Sequence, residues 1–408
     1  MGKKLTISDY EPLVGPEIIH ELKLLSKRLK KKRIQCINST KAGGGVAEIL
    51  SRVMPLLNDL GVKASWDVID AEAEYFNITK AFHNALHGSE VTITQSMFDK
   101  FIAIGEGITK RTDIYGDIVF VHDPQPIALI DKKAKNKWMW RCHVDVSKPN
   151  LEVWEFLKKF IERYDSSVFS SPKFARSLSI PQYLVPPSID PFSEKNRVLE
   201  KSEIEEVLAR YGIKRDKPII SQVSRFDYLK DPVGVIEAYR LVKKYTDCQL
   251  ILAGNRAADD PETDIVLRDV MEAKGKDPDV HVLLIEPEKN DLDVNAIQRS
   301  SDVVIQKSIR EGFALTITEA LWKARPVVAS AVGGIPQQIT HDYSGLLCYT
   351  VGGAALAIRQ LLHSPHYAER LGRNGREHIR RNFLSTRHLR DYLLLFLAVD
   401  NTEDIIYL

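Results

Sequence analysis

Short apolar runs bounded by Gly, Asn, Asp or Pro alternate along almost the whole chain with longer segments of helical period. Such alternation is what βαβ units leave in a sequence. A strand covered by helices on both faces is apolar throughout, whereas each crossover helix needs only one apolar stripe. The strands expected in the first half are Ile34 to Asn38, Lys63 to Ile69, Ile118 to His122, Lys137 to His143 and Ser166 to Ser170. In the second half they are Pro218 to Val223, Gln249 to Ala253, Val280 to Leu284, Val303 to Ile305 and Pro326 to Ala329. The fold class read from this pattern is α/β, with doubly wound parallel sheets.

A length of 408 residues exceeds what one hydrophobic core usually covers. Between the halves lies Val185-Pro-Pro-Ser-Ile-Asp-Pro-Phe-Ser-Glu, whose prolines forbid helix and favour an extended connector. The domains expected are therefore 1–190 and 191–383, each Rossmann-like. After Tyr367 to Phe383, rich in Arg and Glu, the stretch Thr386 to Val399 carries a strong apolar stripe. A helix over 384–408 is expected to pack back on the first domain. Ligands of doubly wound sheets sit at the carboxyl ends of the strands, so two such domains facing each other would enclose one cleft.

Lys plus Arg number 57 and Asp plus Glu 55, a net charge of +2. That balance supplies no field to steer the chain onto nucleic acid or an anionic membrane, so an anionic ligand must be met by local charges. No stretch approaches the roughly 18 uninterrupted apolar residues of a membrane span. The partners expected are small molecules, with at most a homodimer as assembly. Cys36, Cys142, Cys248 and Cys348 are scattered without a C-x-x-C pair, which reads as buried thiols rather than a zinc site or a disulfide framework. Met1-Gly-Lys-Lys has no apolar signal core ahead of the amphipathic stretch Glu17 to Leu29, so a cytoplasmic protein is expected. The basic run Lys27 to Arg33 leads straight into a strand and reads as a solvated helix end.

Chemistry is expected in the strand-to-helix turns. The first is Asn38-Ser-Thr-Lys-Ala-Gly43-Gly44-Gly45-Val-Ala-Glu48. Its glycines permit positive φ and close backbone approach, and a helix start favours an anion, although a tight turn without a ligand has the same sequence. It lacks the spacing of a dinucleotide fingerprint or a P-loop. The second turn is Gln222-Val-Ser-Arg225-Phe-Asp-Tyr-Leu-Lys230, whose two cations either neutralise a diphosphate or are ordinary surface charges. The third is Ser308-Ile-Arg-Glu311-Gly312-Phe313-Ala314-Leu315-Thr316-Ile-Thr-Glu319, with 319 − 311 = 8, which reads as about two turns of a helix beginning near Ala314. Ionised carboxylates only accept, which suits the paired O–H donors of a sugar. The amides of Phe313 to Thr316 would take a phosphate or sugar oxygen. Asp123, in His122-Asp-Pro-Gln-Pro, either binds hydroxyls or opens an Asx-turn. His83 and His87 have metal-pair spacing but no third ligand, and Asp291-Leu-Asp293 is a D-x-D between a strand and a helix.

The run Glu311 to Glu319, with Arg225 and Lys230 upstream and Val332-Gly-Gly-Ile downstream, resembles the E-x7-E retaining glycosyltransferases of the GT-B fold, family four. More narrowly, Gly43 to Leu50, Phe82-His-Asn-Ala-Leu86, Val121-His-Asp-Pro-Gln-Pro126, Trp140-Arg-Cys-His143-Val-Asp145 and Pro186-Pro-Ser-Ile-Asp-Pro191 resemble the trehalose glycosyltransferring synthases. The resemblance implies that Glu319 binds the donor ribose and Glu311 the donor sugar, with Gly312, Phe313 and Ala314 beside it. It assigns Arg225 and Lys230 to the diphosphate, together with Gly44, Gly45, Leu315 and Thr316. It places His143 near the anomeric centre and assigns Asp123 and Asp145 to the acceptor. Ala314 departs from the Gly or Pro of many members, and Tyr228-Leu229 from their Pro-Trp-like pair.

The activity implied is retaining transfer of glucose from a nucleoside diphosphate glucose to glucose, reversibly, giving α,α-trehalose. No obligatory cofactor is implied, and Mg is not required by the motif. A trehalose phosphorylase, a GT-B-shaped sugar-nucleotide epimerase and a non-catalytic ligand sensor are the competing readings.

Overall fold

The computed structural model describes residues 5–41, 44–255 and 262–401. Gly43, the Met1 to Lys4 start and the end of the 384–408 segment beyond residue 401 lie outside them. The chain divides into two compact units, Met1–Ser188 with Ser385–Leu408, and Ile189–Leu384.

The first unit holds a six-stranded sheet built from β1 (Arg33–Asn38), β2 (Lys63–Val68), β3 (Ile118–His122), β4 (Lys137–Cys142), β5 (Ser166–Phe169) and β6 (Gln182–Leu184). All pairings are parallel and the order is β2-β1-β3-β4-β5-β6. Connections run outward in opposite directions from β1 and β3, so the topological switch falls between those two strands. Every residue of β3 is buried, and Trp138, Trp140 and Phe169 fill the adjoining core.

The terminal helix Ser385–Asp400 belongs to this unit. Its Tyr392 and Phe396 rings lie edge-on to Phe120, 5.2 and 6.0 Å away. The buried Arg141 of β4 donates to His388 Nε2 (3.0 Å), to the Tyr392 hydroxyl and to the Val185 carbonyl (2.8 Å). His388 Nε2 must accept from a guanidinium, so its proton sits on Nδ1, 2.9 Å from Ser188 Oγ. A buried cation is tolerable only when hydrogen-bonded in this way.

The second unit carries β7 (Ile219–Val223), β8 (Gln249–Asn255), β9 (Val280–Ile285), β10 (Val303–Gln306), β11 (Val327–Ser330) and β12 (Leu346–Cys348). The order is β12-β11-β10-β7-β8-β9, again all parallel. Its switch falls between β7 and β10, the strand order of a dinucleotide-binding sheet. The two ends of this unit meet as a bridge between Ile189 and Leu384.

The basic run proves to be the solvated end of helix Pro16–Leu29, with Lys32 on Asp400 (2.6 Å) and Arg33 on Asp117 (3.4 Å). The four thiols are free and buried, and burial pushes that of Cys36 well up. Among the described residues no helix is long and apolar enough to cross a membrane. Asp291-Leu-Asp293 lies inside helix Asn290–Ser300 rather than ahead of it. There the buried Asp293 accepts from Arg210 (2.9 Å) and Tyr211 (2.5 Å). His83 and His87 stack edge-on, with ring centroids 4.9 Å apart.

Candidate functional site

In the second unit the turns after β7 and β10 carry Arg225 with Lys230 and Ser308 with Glu311. They emerge from the carboxyl ends of the two strands that flank the switch. Lys230 closes the 3-10 turn Tyr228–Lys230, which the Asp227 carboxylate caps by accepting from Leu229 N (2.7 Å). The turn is tied to its neighbour: Ile309 N donates to Leu229 O (2.8 Å), and Gln222 Nε2 donates to Lys230 O (3.0 Å). Lys230 Nζ thereby reaches Glu311 Oε2 at 2.5 Å, and Ser308 Oγ donates to the same oxygen at 3.1 Å. Arg225 has its side chain 55% exposed and leans on Asp227 at 3.3 Å.

The loop Glu311-Gly312-Phe313-Ala314 is pressed against Gly333 and Gly334. Gly333 has φ +53°, and a Cβ there would lie 1.6 Å from the Glu311 carbonyl oxygen. Only glycine lets the two backbones approach so closely. Gln338 Nε2 donates to Phe313 O and accepts through Oε1 from Thr318 Oγ1 (2.6 Å). The helix Leu315–Trp322 follows, and the N–H groups of Leu315 and Thr316 in its first turn have no acceptor among the described residues. Because the helix begins at Leu315, Glu319 stands in its second turn, not two full turns in, and its side chain is 2% exposed.

Ala314 takes φ 70° and ψ 73° as it enters that helix, a left-handed conformation costly for a residue with a Cβ. Ala314→Gly removes strain of roughly 1–2 kcal/mol against an entropic cost of roughly 0.5–1 kcal/mol. Urea denaturation should therefore show the variant more stable than the parent, by up to about 1.5 kcal/mol on that balance. A loss of stability would mean that the alanine methyl makes a compensating contact.

In the first unit Gly44-Gly45 follow β1, Asp123 follows β3 and His143 follows β4, at the carboxyl ends of three neighbouring strands. Gly44 opens helix Gly44–Asp59 at φ +78°, and a Cβ there would meet nothing, so backbone freedom rather than packing asks for glycine. Asp123, at φ 65°, accepts from His143 N through Oδ1 (2.8 Å), a bond between neighbouring strand ends rather than an Asx-turn. Burial lifts its carboxyl to about 7, against the opposing pull of that N–H and of Arg141. His143 Nε2 lies 3.1 Å from His122 Nδ1, and burial, then the Arg141 charge, hold both imidazoles well below their usual range. Asp145 is buried and accepts from Ser147 N (2.9 Å).

Sequence reasoning singled out neither Ser308, His122 and Arg141 nor the glutamines beneath the site. Ser308 three residues before Glu311 and His122 beside Asp123 were the available signals. The rest are recognisable only from their contacts.

The chain matches the family model "Trehalose synthase, N-terminal domain" over residues 36–176 and that of "Glycosyl transferases group 1" over residues 203–378. It is 43% identical to a trehalose synthase of Pyrococcus horikoshii over 399 residues, 96% of this chain and 95% of the relative. To a trehalose synthase of Thermococcus litoralis it is 44% identical over 398 residues, 96% of each. A UDP-forming α,α-trehalose-phosphate synthase of Burkholderia xenovorans, solved with glucose-6-phosphate, superposes with TM-score 0.72. That match is 14% identical over 89% of this chain and 99% of the other, so it speaks for the fold alone. Two parallel doubly wound sheets, both family models and full-length identity agree: the chain belongs to the trehalose synthase family of glycosyltransferases and has the GT-B fold.

Proposed function

We propose that this glycosyltransferase makes α,α-trehalose from a nucleoside diphosphate glucose and glucose, reversibly and with retention. The observation that carries the reading is the Lys230–Glu311 pair, set at the β7/β10 switch beside the first-turn amides of Leu315 and Thr316 and a buried Glu319. A cation for a diphosphate and carboxylates for hydroxyls are what a nucleotide sugar demands.

In this reading Glu319 accepts from the ribose hydroxyls. Glu311 accepts from the donor sugar, lined by Gly312, Phe313 and Ala314. Lys230, Arg225 and the amides of Leu315 and Thr316 take the diphosphate, with Gly44 and Gly45 offering further amides. The bond from the anomeric carbon to the diphosphate breaks, and the 1-hydroxyl oxygen of the acceptor bonds to that carbon on the same face. Its proton passes to the departing diphosphate oxygen, whose growing charge the cations and helix amides stabilise. Those groups make a resident metal unnecessary for departure. In this reading the first unit supplies the acceptor side, with His143 assigned to the reacting carbon and Asp123 and Asp145 to the acceptor hydroxyls.

A carboxyl near 7 in Asp123 gives this assignment a pH signature. The ionised form only accepts, whereas protonation puts a donor on an oxygen that should accept from a hydroxyl, so kcat/KM for glucose should rise through pH 7 as a single ionisation. The neighbouring imidazoles stay neutral over that range and add no step. Asp123→Asn should give a low, flat profile, and a flat wild-type profile would remove Asp123 from acceptor binding.

The direct test incubates the protein with glucose and each of UDP-, ADP- and GDP-glucose. In reverse, trehalose is supplied with each diphosphate or with inorganic phosphate. The expected product is α,α-trehalose plus a nucleoside diphosphate. Turnover with phosphate alone would instead make the protein a phosphorylase.

A further inference from the structure

The segment Asp190–Arg197, between the bridge residue Ile189 and helix Lys201–Arg210, has no regular structure and yet is built like a core. Asn196, 1% exposed, donates to Asp190 O (3.1 Å) and Ser193 Oγ (3.1 Å), and its Oδ1 accepts from the buried Lys323 (3.1 Å). Two side chains of helix Asn290–Ser300 staple the segment from the other side. Asn295 Nδ2 donates to the carbonyls of Glu194 (2.7 Å) and Arg197 (2.9 Å), and Arg299 donates to those of Asn196 (3.2 Å) and Arg197 (2.8 Å). Buried polar groups hydrogen-bonded from both sides in this way hold the segment in one conformation.

What that conformation delivers is the Lys195 ammonium. Its side chain, 14% exposed, ends 3.9 Å from Glu319 Oε1 and 3.6 Å from Asp291 Oδ1. A carboxylate as buried as that of Glu319 stays ionised only if a cation or donors compensate it. Lys323, the C-cap residue of the helix that carries Glu319, donates to Asn196, Gln298 and the Glu319 main-chain carbonyl.

Resting on the reading of Glu319 as the ribose anchor, we propose that Lys195 is a positioning residue of that subsite. Its ammonium holds the buried Glu319 carboxylate aimed so that it accepts from both ribose hydroxyls of a nucleoside diphosphate. The segment on which it stands exists in this form to hold it there.

The test reads discrimination between ribose and deoxyribose in binding, without turnover. Calorimetry measures ADP, GDP and UDP and their 2′-deoxy counterparts on wild type, Lys195→Met, Lys195→Arg and Glu319→Ala, with Lys195→Gln as a milder change should the methionine variant not fold. Wild type should favour the ribonucleotides by at least about tenfold, the worth of one hydrogen bond to a charged group. Lys195→Met should reduce that ratio at least threefold with little change in deoxynucleotide affinity, and Lys195→Arg should largely restore it. A parallel loss for both nucleotide types, leaving the ratio intact, would mean that Lys195 only supports the loop and would overturn the inference. A ratio lost in Glu319→Ala but kept in Lys195→Met would also overturn it while leaving the ribose anchor standing. No discrimination in wild type would remove the anchor itself.

Discussion

Lys230→Ala is expected to lower kcat by about 10²- to 10³-fold, the cost typical of removing one preorganised group that stabilises a developing negative charge. The ammonium stands 2.5 Å from Glu311 before any substrate arrives, so a cation is already at the switch point and has only to turn from that carboxylate to the diphosphate. Removing it also leaves the Glu311 carboxylate, 9% exposed, with Ser308 but without its cation. Some stability should be lost as well, because truncating one partner of a buried pair strands the other. The two effects separate in a double-mutant cycle with Glu311→Gln. Thermal denaturation should show the pair's coupling, and kcat should stay depressed even where the double variant recovers stability. A kcat within threefold of wild type in a folded Lys230→Ala protein would exclude Lys230 from charge stabilisation.

Glu319→Ala has the second large effect and a different kinetic form. If the carboxylate accepts from two ribose hydroxyls, each bond to a charged group contributes about 1.5–3 kcal/mol, so KM for the nucleotide sugar should rise by about 10²-fold or more. The ribose is remote from the bond that breaks, so part of the loss should also appear in kcat, as when binding energy far from the reacting atoms is used for orientation. Steady-state kinetics with the preferred donor decides the matter. Transfer that survives Glu319→Ala unchanged, or turnover sustained by inorganic phosphate, would show that no ribose is held there.

Both parallel sheets could be read from the chain because their central strands are mostly apolar and almost wholly buried. Ile118 to His122 is predicted and found with the same limits, and most other strands shift by one or two residues at an end. The strands missed are Gln182–Leu184 and Leu346–Cys348, three residues each at a sheet edge. A strand so short leaves no alternation to detect, and Leu184 is exposed because an edge strand has one neighbour. The terminal helix Ser385–Asp400 announced itself by an apolar stripe, whereas the buried Arg141 that anchors it gave no sign in a sequence rich in surface arginine.

At the site, residue type and spacing bring out the carboxylates and cations, since Glu311, Glu319, Arg225 and Lys230 follow strands of legible pattern. Their relations are less legible. Residue chemistry and the family resemblance send Lys230 and Glu311 to different parts of a ligand, yet they meet each other, because Ile309 and Gln222 tie their two turns together. Lys195 is further removed still. It lies 124 residues (319 − 195) from Glu319, and only the buried contacts of Asn295, Arg299 and Lys323 bring it there.

A crystal structure with the preferred nucleoside diphosphate glucose tests the central claim most directly. The account predicts Glu319 within hydrogen-bonding distance of both ribose hydroxyls. It also predicts Lys230 on the diphosphate and Glu311 on the glucosyl hydroxyls, all above the carboxyl ends of β7 and β10. A nucleotide bound with its pentose away from Glu319, or with Lys230 still held by Glu311 and turned from the phosphates, would contradict it.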